Sequence, residues 1–264
     1  MNEYKIELNG ITKEFSIKSG TIVALRDVSF KVRSGDFISL VGPSGCGKST
    51  VIRLINGIIS PTTGSITIDG TTYTKQPPKE LLKKIGFVFQ NPNLLPWLTI
   101  KENLEVPLKI LGYKGPEWDM RVADLLKMVG LQQQQNRRPG EISEGMKQRL
   151  GVIRAMVHDP EILLMDEPFG FIDELTRETL DMEVLSIWEK TKKTVIFITH
   201  NVSEAILMAS RIYVMGTNPG RIVAEMDVKM PYPRQHGFME TTYFANLEQD
   251  VMQLIGHVGL NEIK

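Results

Sequence analysis

Apolar and polar residues alternate with a period of two at Ile6 and Leu8, and again from Val28 to Val32, which predicts short strands near the start of the chain. Phe37-Ile38-Ser39-Leu40-Val41 breaks that alternation. It is nearly all apolar, the pattern of a strand buried on both faces, and Gly42 ends it. From Lys48 onward Val51, Ile52, Leu54 and Ile55 recur at helical spacing until Gly57 offers a stop. The order is therefore strand, glycine loop, helix. Pro61-Thr62-Thr63-Gly64 and Asp69-Gly70 are turn signals that bracket a strand from Ser65 to Ile68, an antiparallel appendage to the core. Ile85 to Phe89 predicts another apolar strand, with Gln90 at its end.

Between Asn91 and about Leu150 the pattern turns mostly helical, and Pro92, Pro96, Pro107, Pro116 and Pro139 break it into pieces, as an inserted helical subdomain would require. The tract Gln132 to Gln135 predicts an exposed helix end or loop. Ile162 to Met165 and Thr194 to Thr199 are short apolar runs separated by a helical stretch from about Glu174 to Lys190, so parallel strands with a crossover helix follow. The tail from about Asn218 carries fewer signals, and no internal repeat or long disordered segment stands out.

Composition narrows the function classes. With 264 residues, 42% hydrophobic and 23% charged, the chain is sized for one large α/β domain or a core with a smaller insert. Its 31 basic and 31 acidic residues balance, and no basic stripe is evident, which argues against a nucleic-acid partner. Cys46 is the single cysteine and cannot form an internal disulfide, and no signal-peptide run follows Met1 to Lys5, so a cytosolic chain is expected. The apolar runs fall far short of the roughly 20 residues of a spanning helix, so any membrane work would go through a partner.

Two stretches carry chemistry. Gly42-Pro43-Ser44-Gly45-Cys46-Gly47-Lys48-Ser49-Thr50 fits the phosphate-loop spacing of Gly, four residues, Gly-Lys-Ser/Thr, in the strand-to-helix context that the chemistry needs. Glycines let successive backbone N–H groups turn around a β-phosphate, Lys48 adds a point charge, and the Ser49 hydroxyl can ligate Mg²⁺. Ile162 to Met165 then delivers Asp166 and Glu167 to a strand's C-terminal end, where open α/β sheets hold ligands. Asp166 would hold Mg²⁺, directly or through water, and Glu167 would act as general base on the attacking water. His200 follows the apolar run Val195 to Thr199 and so reaches the same edge.

With these residues in place the chain resembles an ABC transporter ATPase subunit over nearly its whole length. The resemblance implies Gln90 as the Q-loop glutamine, catalytic and beside Ser49 and Asp166 at the metal, Asp166-Glu167 as the Walker B pair, Asp173 as the D-loop aspartate at a dimer interface, and His200 as the switch histidine. It places Phe15, in Lys13-Glu14-Phe15, where an aromatic residue stacks on adenine. Asn91-Pro92-Asn93-Leu94-Leu95-Pro96-Trp97, Asp166-Glu167-Pro168-Phe169-Gly170, Asn218 to Val223 and Pro231-Tyr232-Pro233-Arg234 are similar to the branch serving nitrate, taurine and alkanesulfonate importers.

The fold implied is α/β: a P-loop NTPase (RecA-like) core with an antiparallel β subdomain and an inserted α-helical subdomain. The whole chain, 1–264, forms one ABC ATPase domain, with core and β subdomain from 1–90 and 151–264 and the helical part at about 91–150. The resemblance further implies ATP and Mg²⁺ as cofactors, a second and identical ATPase subunit, two permease chains, a substrate-binding protein reached through them, and a place on the cytoplasmic face of the membrane. Leu94 to Leu104 would help form the groove for the permease's coupling helix.

The pattern breaks at one point. The signature Leu-Ser-Gly-Gly-Gln, or Leu-Ser-Gly-Gly-Met in this branch, is here Ile142-Ser143-Glu144-Gly145-Met146. In the family this loop caps the γ-phosphate bound to the opposite subunit, and Ser143 and Gly145 remain available for that. Glu144 is favoured by the helix dipole in a first turn, yet its charge repels an incoming triphosphate, so a lower or more tightly regulated turnover is expected. Gly170-Phe171-Ile172-Asp173 also departs from the branch's Gly-Ala-Leu-Asp, a change read as local repacking at Phe171. Two alternatives stay open: a soluble ABC-type ATPase of repair or translation, which lacks the support of a coiled-coil insertion or second cassette, and a regulatory module that binds ATP without turnover.

Overall fold

A computed structural model describes residues 3–18, 20–170 and 172–260, so Phe171 and the repacking read there lie outside the described residues. The chain opens with a long antiparallel hairpin, β1 (Tyr4–Ile17) and β2 (Gly20–Arg33), far longer than the short alternations at Ile6–Leu8 and Val28–Val32 announce. The central strand β3 (Phe37–Val41) leads through the glycine loop into α1 (Lys48–Ile55). There follow β4 (Thr63–Ile68), β5 (Thr71–Tyr73), α2 (Lys79–Leu82) and β6 (Ile85–Val88). Strand β4 starts at Thr63, inside the tetrapeptide read as a turn, because Thr63 pairs with Thr12 of β1.

The helical stretch comprises α3 (Ile100–Leu111), α4 (Pro116–Met128) and α5 (Glu144–Met156). After it run β7 (Ile162–Asp166), α6 (Glu174–Thr191), β8 (Thr194–Ile198), α7 (Val202–Met208), β9 (Arg211–Gly216), β10 (Arg221–Asp227) and α8 (Thr242–Leu260). One sheet has the order β2-β1-β4-β5; the other runs β10-β9-β3-β8-β7-β6, parallel except for β10.

All five residues of β3, β7 and β8 are buried, and their alternation reappears as a division between two cores. Ile38, Leu40, Ile162, Leu164, Ile196 and Ile198 face the space between the sheets, together with Val51, Ile52, Leu54 and Ile55 of α1 and with Ile6 and Leu8 of β1. Phe37, Leu163, Met165, Val195 and Phe197 face the opposite side, under the helices. Helix α1 is thus clamped between two sheets, which holds the glycine loop at its N-terminus in place.

One expectation fails for a physical reason. Pro107 does not break a helix; α3 runs through it, because its capping box (Thr99 with Glu102) and the burial of Ile100, Leu104 and Leu108 outweigh one missing N–H. The tail, sparse in sequence signals, is nevertheless structured. All of β10 is half-buried or exposed, which blurs its alternation, while α8 seats Phe244, Leu247 and Val251 in the core. Arg234, 2% exposed, donates to the carbonyls of Ile206 (2.8 Å), Leu207 (3.0 Å) and Ala209 (2.7 Å) at the end of α7, and to Met230 (3.0 Å). The tail is thereby strapped to the helix that follows His200.

Candidate nucleotide site at the carboxyl edge of the parallel sheet

Loops leaving the C-terminal ends of the adjacent strands β3, β8, β7 and β6 converge on one cleft of about 400 Å³, lined by Ser44, Gly45, Gly47, Lys48, Ser49, Thr50, Gln90, Glu167 and His200. Between β3 and α1 the chain turns through positive φ at Gly42 (154°), Gly45 (79°) and Gly47 (97°). A Cβ on Gly47 would lie 2.6 Å from Leu25 of β2, and one on Gly42 would lie 2.5 Å from the Met215 carbonyl, so conformation and packing both require glycine. Gly47 caps α1 with no side-chain hydrogen bond, and the first N–H groups of the helix face the cleft as an anion site.

Lys48 is 6% exposed, and its ammonium donates to the carbonyls of Gly42 (2.8 Å) and Pro43 (3.1 Å), neutral partners that leave a full positive charge at the loop. The Cys46 side chain belongs to the core between the sheets, where burial pushes the thiol up, and its sulfur accepts from the Lys48 ammonium at 3.8 Å. Gly42, Pro43 and Cys46 accordingly shape the loop without lining the cleft.

Behind the loop the Ser49 hydroxyl donates to Asp166 Oδ1 at 2.8 Å, and burial raises the Asp166 carboxyl above its usual range despite that bond. Glu167 holds a left-handed backbone, φ 44°, while its N–H donates to the Ile198 carbonyl at 3.0 Å. Such a conformation is unfavourable for a residue with a side chain and persists only where surrounding structure enforces it. It brings Glu167 Oε2 within 3.0 Å of the Gln90 amide, which donates to it, and within 3.4 Å of His200 Nδ1. Gln90 is itself steadied by α5, where the Gln148 amide donates to its carbonyl (3.4 Å) and Arg154 donates to the carbonyls of Pro92 and Asn93.

The oxygen donors of Ser49 and Asp166, with Gln90 nearby, suit a hard cation that keeps water and phosphate ligands, as Mg²⁺ does. Among the described residues no group of three or more His, Cys, Asp or Glu could cage a metal unaided, so such a cation would rely on the nucleotide for its remaining ligands.

Three sequence-derived candidates fall elsewhere. Phe15 sits on β1 opposite Ile22, 38% exposed, with Lys13 Nζ 5.0 Å from its ring; the hairpin that carries it touches the glycine loop through Leu25. Ser143 caps α5, accepting from the Met146 N–H at 3.4 Å, and Glu144 pairs with Lys147 at 3.0 Å. Ser143, Glu144, Gly145 and Met146 do not line the cleft of their own chain. Asp173 caps α6 by accepting from the Thr176 N–H at 3.0 Å, a bond that lowers its carboxyl; Thr176 in turn lies 3.3 Å from where a Cβ on Gly145 would stand. The signature loop and Asp173 thus share one surface.

Sequence reading missed Gln148, Arg154 and Asn103, whose amide bonds Leu95, Leu98 and Thr99. Each is a single polar residue in a helix, with no pattern to mark it.

Known proteins resemble the chain along most of its length. The ABC transporter family matches residues 25–170. The aliphatic sulfonates import ATP-binding protein SsuB of Bacillus cereus is 39% identical over 97% of this chain and 97% of its own length. The taurine import ATP-binding protein TauB of Rhizobium johnstonii is 43% identical over 79% of this chain and 78% of its own. Among solved structures, the dimeric post-hydrolysis state of the ATP-binding cassette MJ0796 bound to ADP and Pi superposes with a TM-score of 0.75 at 34% identity, covering 86% of this chain and 100% of that one. A phosphate loop facing a strand-end carboxylate pair, in a chain matched along its length by such relatives, shows that this protein belongs to the ABC transporter family.

Proposed function

We propose that the chain is the ATP-hydrolysing motor subunit of a membrane importer for a small anionic or organic solute such as a sulfonate, taurine or nitrate. The observation that carries the hydrolytic reading is Glu167, whose carboxylate is held at the mouth of the phosphate-loop cleft between the Gln90 amide and the His200 ring. In that role Gly42 to Thr50 and Lys48 bind the triphosphate, Phe15 stacks on the base, and Glu167 takes the proton of the attacking water while His200 and Gln90 orient it. Bound Mg²⁺ would supply charge neutralisation between the phosphates, held by Ser49, Asp166 and Gln90.

The separation of Ser143, Gly145 and Asp173 from the chain's own cleft supports a composite site, in which those residues serve ATP bound by a second, identical copy. Among the described residues no helix is long and apolar enough to cross a membrane, which suits a peripheral subunit on the cytoplasmic face that works through two permease chains and, through them, a substrate-binding protein. A second cleft of about 400 Å³, lined by Asn91, Pro92, Leu94, Pro96, Pro139 and Lys147 among others, adjoins Gln90 and suits the permease contact.

Substituting Glu167→Gln separates a motor from a binding module. Hydrolysis should fall by about 10²-fold or more while ATP stays bound and the chain accumulates as a dimer. A variant that hydrolyses at the wild-type rate would refute the assignment of Glu167.

A further inference from the structure

Two carboxylic acids meet in the interior close to His200. Asp181, on α6, is 3% exposed, and Glu204, on α7, is 6% exposed; the two helices pack against each other, and each carboxyl acts on the charge of the other. Asp181 Oδ1 has no hydrogen-bond partner. Glu204 accepts from the Thr199 hydroxyl, whose oxygen in turn accepts from the Asn201 N–H at 2.9 Å, while the Glu204 N–H donates to Asn201 Oδ1 at 3.1 Å. His200 lies between Thr199 and Asn201, so its backbone turn is fastened on both sides to Glu204. Two ionised carboxylates that act on each other out of water repel strongly, and a single proton between them turns repulsion into attraction.

The surrounding charges do not remove that need. Arg177, one turn earlier on α6, eases both groups, but its N–H donors go to the carbonyls of Phe169 (3.3 Å) and Ile172 (2.9 Å). Glu178 on α6 adds further negative charge, and His200 contributes relief only when protonated. From α5, Arg149 is paired with Glu183 (2.9 Å), and from α8, Glu248 accepts from Ser203. Burial first, and then the neighbouring acid, raises Asp181 far above the carboxylate range; burial likewise raises Glu204.

We propose that Asp181 and Glu204 share one proton at neutral pH, and that this shared proton holds the Thr199–His200–Asn201 turn where His200 reaches Glu167. Asp181 is then a positioning residue for hydrolysis, acting through Glu204 and Thr199 without touching the nucleotide. The inference rests on the hydrolytic reading of Glu167 and His200. Loss of the shared proton at alkaline pH puts two like charges between α6 and α7 and loosens the turn. The folded chain binds this proton more tightly than the unfolded chain, so folding stability also declines as pH rises from the ordinary carboxylate range toward the raised folded value.

The test is the pH profile of Mg-ATP hydrolysis by the full chain, from about pH 7 to about pH 10, for wild type, Asp181→Asn, Asp181→Ala and His200→Ala. Asn cannot ionise yet keeps a donor for Glu204, so the ratio of D181N to wild-type activity should stay constant near neutral pH and rise about twofold by about pH 10, where half the wild-type molecules have lost the proton of Asp181, pushed up to about 10. D181A, which lacks that donor, should lower kcat at every pH with KM unchanged. Superimposable alkaline limbs for wild type and D181N would overturn the inference. If H200A hydrolyses ATP as wild type does, the underlying reading of His200 fails instead; if H200A is dead and the limbs still coincide, only the shared proton is refuted.

Discussion

At the scale of single residues, Glu144 is the departure whose effect can be argued from its neighbours. Its carboxylate opens α5, where the helix dipole favours it, and pairs with Lys147 at 3.0 Å, which partly neutralises a charge that, in the proposed composite site, would repel a partner's triphosphate. Glu144→Gly should therefore raise the ATPase rate about two- to fivefold, and Lys147→Ala should lower it by unmasking the carboxylate; steady-state rates of the two variants check both signs. Unchanged rates would show that the carboxylate has no influence on turnover. Lys48, Ser49 and Glu167 were legible because fixed spacing and adjacency to apolar strands mark them. Asp181 and Glu204 were not, since an acid in a helix looks like a solvated one until the packing of α6 against α7 is known.

Elements that carry the cleft are the most legible part of the fold, for a physical reason. Strands β3, β7 and β8 are buried on both faces, so β-branched and apolar residues fill them almost without interruption, and the loops behind them need glycine or acid. Where burial is partial, as in β10, or where packing overrides a local breaker, as at Pro107, the sequence signal fades or misleads. The tail illustrates a further limit. Part of its attachment runs through one buried cation, Arg234, whose guanidinium loses proton affinity through burial yet satisfies carbonyls at the end of α7 and in the tail itself. Arg234→Met should destabilise the chain by about 3 kcal/mol, read from urea unfolding, because those carbonyls would be left buried without donors. A change below about 0.5 kcal/mol would mean that the strap contributes nothing.

For the molecule as a whole, the proposed function makes the cleft of one chain half of a site. The phosphate loop, Gln90, Glu167 and His200 converge within one chain, whereas Ser143, Gly145 and Asp173 gather on a separate surface that a second copy can present to ATP. On the proposed function, symmetric pairing of two identical chains would complete two sites at once. The direct test is to mix two inactive variants, Lys48→Ala and Ser143→Arg. Each alone has both composite sites damaged, but a mixed dimer has one intact site, formed by the phosphate loop of the Ser143→Arg chain and the signature loop of the Lys48→Ala chain. An equimolar mixture should recover about a quarter of wild-type ATPase activity, since half the dimers are mixed and each retains one site of two. No recovery on mixing, or full activity of Ser143→Arg by itself, would contradict a site shared between two copies.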